Sequence, residues 1–254
     1  EYGDPLDRRF HAQPDACFDC GPHITWREAA GDMGLEGSGA TPAVGSTRET
    51  SDAIIDRCVE LLASGGIVAI KGLGGFHLAC NAANEQAVVE LRRRKRRSNK
   101  PLAVMVRSLA DTERLCRVDD AERSLLTGSI RPIVLLRRRA VGEGDSPDAL
   151  TLAPSVAHDL PELGVMLPYT PLQHLLLAAA AARGMHALVM TSGNLSEEPI
   201  ETDDSLAWEH LVAAGIADAL LGNDRAILSR YDDSMVRVVN GAIMPVRRAR
   251  GYAP

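Results

Sequence analysis

The sequence predicts an α/β domain built on a mixed β-sheet. Three observations lead there. From about residue 51 onward, segments with a helical apolar period alternate with short apolar runs of strand length. The chain then closes on MVRVV-Asn240-Gly241-AIMPV, where Asn-Gly suits the type I′ turn of a β-hairpin. Finally, 254 residues at 45% hydrophobic suffice for one sizeable core, and they show neither a repeat nor a disordered composition. Helical crossovers favour parallel strand pairs and the hairpin adds an antiparallel one, so the sheet is mixed.

The elements follow in order. Residues 1–26 are rich in Pro, Arg, Cys and His without an amphipathic period, and residues 27–50 are small, polar and glycine-rich, which reads as a surface connection. The main domain is therefore expected to begin near Ser51. Ile54, Ile55, Cys58, Leu61 and Leu62 trace one helix face, Gly65-Gly66 stops it, and IVAI at 67–70 is a buried strand. A helix over 84–97 and a strand at 101–106 come next. Short helices at 108–116 and 119–127 precede a strand at 132–136. Residues 140–163 read as a long loop, then GVMLP at 164–168 leads into a helix over 171–183 and a strand at 187–190. A helix over 203–214 and a short strand at 217–222 precede the hairpin.

Composition narrows the function classes. A net charge of −6 argues against a general nucleic-acid clamp. No run of 18 apolar residues and no N-terminal apolar region are present, so neither a membrane span nor a signal peptide is expected. Cysteines at 17, 20, 58, 80 and 116 are odd in number with one close pair, which is not a disulfide framework and suits a reducing cytoplasm. Of 28 basic residues only three are lysine, Lys71, Lys95 and Lys100, all within residues 71–100.

The chemistry-bearing positions suggest an anion pocket. In the run from Arg92 to Arg97, six consecutive helical residues sweep roughly 500°, so they cannot all face bulk water. The apolar face through Ala87, Val88 and Leu91 arrives next at Lys95, and a charge there must be paired, snorkel, or line a cavity holding an anion. Lys71 closes the IVAI strand and opens KGLGGFH, whose glycines either admit a ligand close to the backbone or serve packing. His77 in that stretch reads as a structural histidine or a functional one. Thr191-Ser192-Gly193-Asn194 follows the strand ALVM, at the kind of position where open α/β sheets bind ligands, and equally where a turn and a helix cap belong. Asp232 and Asp233 either bind a metal or hold nearby arginines such as Arg225 and Arg230; the ion-pair reading is favoured. No G-x-S-x-G or H-E-x-x-H motif is present, so a hydrolytic site is not expected.

These motifs resemble a known family. Lys95-Arg96-Arg97 with Lys100-Pro101-Leu102, Thr170-Pro171-Leu172 and Thr191-Ser192-Gly193-Asn194 resemble the YrdC-like fold, whose K-x-R and S-x-N motifs bind nucleotide. KGLGGFHLACNA, LPYTPLQHLL, TSGNLSEEPI, NDRAILSRYDDSMVR, RRARGYAP and the leader DPLDRRFHAQPDACFDCGP are similar to the HypF family of hydrogenase maturation carbamoyltransferases. The resemblance implies a twisted mixed sheet with a concave nucleotide-binding face over 51–254, a linker at 27–50, and the C-terminal part of a zinc finger over 1–26. It implies that carbamate and ATP condense to carbamoyl adenylate and pyrophosphate, with Mg²⁺ accompanying ATP. An acylphosphatase domain, a Kae1-like transferase domain and a maturation partner with a C-terminal cysteine acceptor would complete the pathway.

By the same resemblance Lys95 and Arg97 are catalytic and bind ATP phosphates together with Ser192 and Asn194. Lys71, His77, Thr170, Arg230, Ser234 and Arg248 join the nucleotide site. Cys17 and Cys20 provide only two of the four ligands of a closed Zn²⁺ site, so either the finger is cut or His11 and His23 substitute. A cut finger with zinc absent or weakly held is the expectation. Two alternatives remain: a threonylcarbamoyl-adenylate synthase, against which the leader counts, and a double-stranded RNA-binding module, against which the net charge and scarce aromatics count.

Overall fold

The structure is a computed structural model, and it describes residues 5–6, 18–19, 21–29, 41–139, 150–195 and 198–253. The chain runs β1 (Ile24–Glu28), β2 (Ala43–Val44), α1 (Arg48–Ala63), β3 (Val68–Lys71), β4 (Phe76–Asn81), α2 (Glu85–Lys95) and β5 (Val104–Val106). It continues through α3 (Leu109–Leu115), α4 (Asp120–Thr127), β6 (Ile133–Arg137), β7 (Glu162–Met166), α5 (Pro171–Ala182) and β8 (Ala187–Ser192). It ends with α6 (Asp204–Ala207), β9 (Ala219–Asn223), β10 (Met235–Val239) and β11 (Ala242–Arg247). Among the described residues the strands form one mixed sheet in the order β11-β10-β6-β7-β5-β8-β4-β3-β9-β1-β2. Parallel pairs β3·β9, β5·β7 and β6·β10 sit among antiparallel ones.

Apolar layers cover both faces because strand residues alternate sides. Ala69 of β3 and Phe76, Leu78 and Cys80 of β4 pack with Ala87, Val88 and Leu91 of α2 on one face. Val68, Ile70 and Ala79 pack on the other with α1 and α5. Helix α1 starts at Thr47, whose side chain and that of Thr50 form a reciprocal capping box, and it buries Ile54, Ile55, Cys58, Val59 and Leu62. At about 1.5–3 kcal/mol for each large side chain, that face outweighs any propensity effect.

Several expectations are corrected. The sheet does not begin after residue 51: β1 pairs antiparallel with β9, and β2 pairs with β1. Trp26, 2% exposed, anchors β1 in the core, a single buried residue too isolated to show as a period. Strand β4 is an addition: the expected elements pass from the strand at 67–70 and the KGLGGFH stretch to the helix over 84–97, and β4, buried along nearly its whole length, lacks the alternation that marks a half-exposed strand. The predicted strand 101–106 pairs only over Val104–Val106. Within the predicted loop 140–163, Pro154–Val156 form a 3₁₀ turn and β7 starts at Glu162. The helix over 203–214 is four α residues followed by π turns over Trp208–Ala213. The hairpin matches expectation, with Asn240 and Gly241 at φ 51° and 77°.

Candidate functional site

The basic run resolves into separate tasks. Arg92, in the last turn of α2, is buried and its guanidinium donates to the carbonyls of Ser155, Val156, Arg97, Ser98 and Lys100, clamping the chain beyond the helix. Arg93 and Arg94 pair with Glu90, and Arg94 also with Asp218 at 2.6 Å. The helix then stops two residues short of the predicted end, because Arg96 caps it in the left-handed conformation at φ 54°. That turn separates Lys95, on the buried helix face, from Arg97, which enters a cleft.

The Lys95 ammonium, 2% exposed, donates to Ser192 O at 2.5 Å, Asn194 O at 2.6 Å and Asn194 Oδ1 at 2.6 Å. Burial, reinforced by the Arg97 charge, pushes its pKa down to about 7. Ser192 Oγ donates to Asn194 Oδ1 at 2.8 Å, so Lys95, Ser192 and Asn194 form one network at the end of β8. Gly193 is required there: a Cβ would lie 2.7 Å from Phe76 O.

The cleft, about 460 Å³ and open to solvent, is lined by His77 of β4, Met190, Thr191 and Ser192 of β8, and Arg97, Pro101 and Ala103 before β5. Ile133, Ile200, Asp232, Asp233, Met235 and Arg247 complete it. Arg97 donates to Pro101 O at 2.7 Å, and burial followed by the charges of Arg92 and Arg247 lowers its pKa to about 10. Arg247 lies 4.0 Å from Asp232. Two guanidiniums converging on one concavity favour an anionic ligand; a unit pair at 4 Å is worth about 4 kcal/mol at an effective dielectric of 20.

At the floor of the cleft, Asp233 accepts from His77 Nε2 at 2.9 Å and from Arg250 Nε at 3.1 Å, with Arg250 Nη2 3.0 Å away in the same ion pair. Burial alone would raise the Asp233 pKa, but the His77 hydrogen bond and the His77 and Arg250 charges outweigh it and hold the carboxyl down at about 2. Arg250 also stacks over the Tyr169 ring at 3.6 Å and donates to Ile130 O and Arg131 O. The ion-pair reading of the two aspartates thus holds, but with Arg250 and Arg247 as partners. Among the described residues no cluster of three or more metal-ligating side chains exists.

The remaining sequence candidates lie as follows. Lys71, also 2% exposed, donates to Asp204 Oδ2 at 2.7 Å and Asn223 O at 2.8 Å, tying β3 to α6 and β9; it does not line the cleft. Thr170 is the N-cap of α5, in a capping box with Gln173. Ser234, fully buried, accepts from Ala249 N and donates to Arg250 O, fastening the C-terminal segment. Arg230 is exposed, and Arg248 is exposed with its guanidinium on Tyr252 O. The glycines of KGLGGFH serve packing: a Cβ on Gly74 would lie 2.3 Å from the Tyr231 ring, and one on Gly75 2.6 Å from Ile200. Cys17, Cys20 and His11 lie outside the described residues. His23 is engaged at both ring nitrogens, Nδ1 with Asp224 at 2.8 Å and Nε2 with Phe18 O at 2.6 Å, which leaves no lone pair for a metal. Sequence reasoning missed Arg247 and Arg250 as named site residues; the motif RRARGYAP was visible, but which arginine turns inward depends on the strand register.

A mixed sheet of this order with a cationic cleft at the end of a central strand defines a class of α/β domain whose cleft suits an anionic ligand. The family model described as "Telomere recombination" (Sua5, YciO, YrdC) matches residues 60–249, and the one described as "HypF finger" matches residues 1–27. The chain belongs to the Sua5/YciO/YrdC family, and its leader and relatives group it with the HypF carbamoyltransferases. It is 48% identical over its whole length to carbamoyltransferase HypF of Rhodobacter capsulatus, covering 30% of that protein, and 50% identical over 214 residues to HypF2 of Cupriavidus necator, covering 79% of this chain and 25% of that one. A full-length HypF crystal structure in the phosphate- and nucleotide-bound form superposes with TM-score 0.80 at 44% identity, covering 100% of this chain and 29% of that one. Sua5 of P. abyssi, TM-score 0.64 at 16% identity, covering 80% of this chain and 55% of that one, shares the fold. This chain thus spans about 30% of the HypF proteins it matches.

Proposed function

We propose that this chain condenses carbamate with ATP to carbamoyl adenylate and pyrophosphate, as the adenylate-forming part of a HypF-type carbamoyltransferase serving [NiFe] hydrogenase cyanide-ligand maturation. The observation that carries this reading is the Arg97–Arg247 cleft beside the Lys95-braced Ser192–Asn194 network, in a chain 44% identical to a nucleotide-bound HypF. A carbamate oxygen attacks the α-phosphorus, a new P–O bond forms, the α–β bridging bond breaks, and its electron pair leaves on pyrophosphate. Arg97 and Arg247 neutralise phosphate charge, and Ser192 with Asn194 orients it; much of the rate comes from positioning and electrostatics. Lys95 acts from behind the loop, and Lys71, Thr170 and Ser234 hold the surrounding segments, while Arg230 and Arg248 border the site. Asp232, in the cleft lining, would accept from Mg²⁺-bound water, and the metal would be held largely by the phosphates.

In the longer protein an acylphosphatase domain would supply carbamate from carbamoyl phosphate. A Kae1-like domain would pass the carbamoyl group to a partner's C-terminal cysteine. We divide the chain into a finger part over 1–26, a connection over 27–50 and the catalytic part over 51–254, with β1 docking the finger end onto the sheet. Cys17 and Cys20 would be half of a Zn²⁺ site. A cytoplasmic setting fits the free, buried Cys58, Cys80 and Cys116, and no helix among the described residues is long and apolar enough to cross a membrane.

The test is ATP-dependent pyrophosphate release with Mg²⁺, comparing ammonium bicarbonate, a source of carbamate, with threonine plus bicarbonate. Release with ammonium bicarbonate alone is expected. Release only with threonine would move the chain to threonylcarbamoyl-AMP synthesis, a reading favoured only by relatives such as the human synthase, 30% identical over 168 residues, covering 65% of this chain and 54% of that protein.

A further inference from the structure

We infer that Arg250 is a positioning residue for ATP: its buried guanidinium anchors the segment that follows β11, and that anchor aims Arg247 into the cleft. The inference rests on the adenylate-forming reading above, in which Arg247 meets the phosphates, and adds a residue that acts through it. Arg250 itself is not among the residues lining the cleft.

Arg247 needs an anchor that its own strand does not supply. Ile243, Met244 and Val246 of β11 are half-exposed, so core packing does not hold the strand. Among the described residues β11 has one neighbour in the sheet, β10, and their register shifts between Met235 and Val236, at the end where Arg247 pairs with Met235. Such a break disrupts the ladder locally and re-aims the side chains beside it. The direction of Arg247 is therefore set by what holds the residues after it.

Those residues are held closely. Arg250 N donates to Asp232 O at 3.1 Å, while Ser234 Oγ accepts from Ala249 N and donates to Arg250 O. The Arg250 side chain, 10% exposed, adds a fork: Nε and Nη2 face Asp233, Nη1 and Nη2 donate to Ile130 O and Arg131 O, and the plane lies over the Tyr169 ring. Gly251 next to it has φ 78°, and a Cβ there would lie 2.6 Å from Ile130 Cγ2. A planar guanidinium can meet a carboxylate, two carbonyls and an aromatic face together, whereas an ammonium is a compact charge on a flexible stem. The fork thus ties the segment to the stretches before β10, β6 and α5. Without it, residues 248–250 keep only their backbone hydrogen bonds, and Arg247, already 39% exposed, is free to turn towards solvent.

Arg250→Lys keeps a positive charge beside Asp233, so the charge of the cleft floor is preserved while the fork and the stacking are lost. With Mg²⁺ present, its calorimetric Kd for ATP should rise about fivefold, KM for ATP should rise in step, and kcat should change by less than about twofold. In an Arg247→Ala background the same substitution should change Kd by less than about twofold, because the residue it positions is gone. Ser234→Ala loosens residues 249–250 with the Arg250 side chain intact; it should repeat the pattern, and it carries the test if Arg250→Lys does not fold. A full loss of affinity persisting in the Arg247→Ala background, or lowered stability with Kd unchanged, would overturn the inference and leave the function intact. If the wild type binds no ATP, the functional reading fails instead. The inference is then judged by amide hydrogen exchange: in Arg250→Lys, residues 246–250 should exchange at least about tenfold faster than in wild type with α1 unchanged. Equal rates, or the same acceleration in α1, would sink it.

Discussion

Replacing Lys95 with Met keeps the volume of the side chain and removes its three donors. Ser192 O and Asn194 O then lose the ammonium that now sits 2.5 and 2.6 Å away, while Asn194 Oδ1 keeps the Ser192 hydroxyl. Each buried carbonyl left without a donor costs about 1–3 kcal/mol. Against that stands the relief of no longer burying an ammonium, a burden visible in a pKa driven down to about 7. The balance is a loss of about 2–3 kcal/mol, which for a chain of this size lowers Tm by roughly 5–10 °C. The loss should also depend on pH. Below pH 7 the folded and unfolded states both hold the proton. Between about 7 and the ordinary 10.5 the unfolded chain binds a proton that the folded one does not, so wild-type stability rises with pH by up to about 1.4 kcal/mol per unit. Lys95→Met lacks that rise, so its deficit should widen from pH 6 to pH 9. Urea denaturation at the two pH values and calorimetric ATP titration read both effects. A deficit that is absent, or equal at both pH values, with ATP affinity unchanged, would refute the brace that we assign to Lys95.

Other outcomes follow from the same geometry. Arg97→Met and Arg247→Ala should each weaken ATP binding by about tenfold, the equivalent of roughly 1.4 kcal/mol, and Arg248→Ala should cost less, as calorimetry would show. Ser234→Ala removes the two hydrogen bonds that its hydroxyl makes to residues 249 and 250, and should lower stability by about 1–3 kcal/mol in a denaturant titration. Gly74→Ala forces a methyl against the Tyr231 ring, so about 1–3 kcal/mol of overpacking strain is expected in the same assay. Elemental analysis should find well under one zinc per chain, since the C-x-x-C pair supplies two ligands and His23 is engaged elsewhere. One equivalent would show that other residues complete the finger.

Where a side chain's own spacing reports its environment, the sequence was readable. The faces of α1 and α5 repeat at helical period, and Asn240-Gly241 turns a hairpin wherever it occurs between apolar runs. Lys95 could be placed on the buried side of α2 because Ala87, Val88 and Leu91 lead to it. Strand β4 escaped because burial on both faces erases alternation, and β1 escaped because only Trp26 marks it as core. Lys71 and Lys95 look alike in sequence, each lying at the end of a regular element. Their partners, Asp204 and Asn223 for one and the Ser192–Asn194 loop for the other, lie 97 to 152 positions away, beyond the reach of any local pattern.

By itself, then, the sequence determined an α/β domain, its helical faces, its closing hairpin and the motifs that mark the Sua5/YciO/YrdC family. Those depend on periodicity and short-range turn chemistry, which act between neighbours. The tertiary structure alone decided which cations face the cleft. Arg96 breaks the helix and sends Arg97 inward, the bulge between Met235 and Val236 accompanies a register that brings Arg247 to the same concavity, and Arg250 is drawn under it by Asp233. An arginine's direction is set by strand register and by the carboxylate that it meets, and both are contributed by segments distant in the chain.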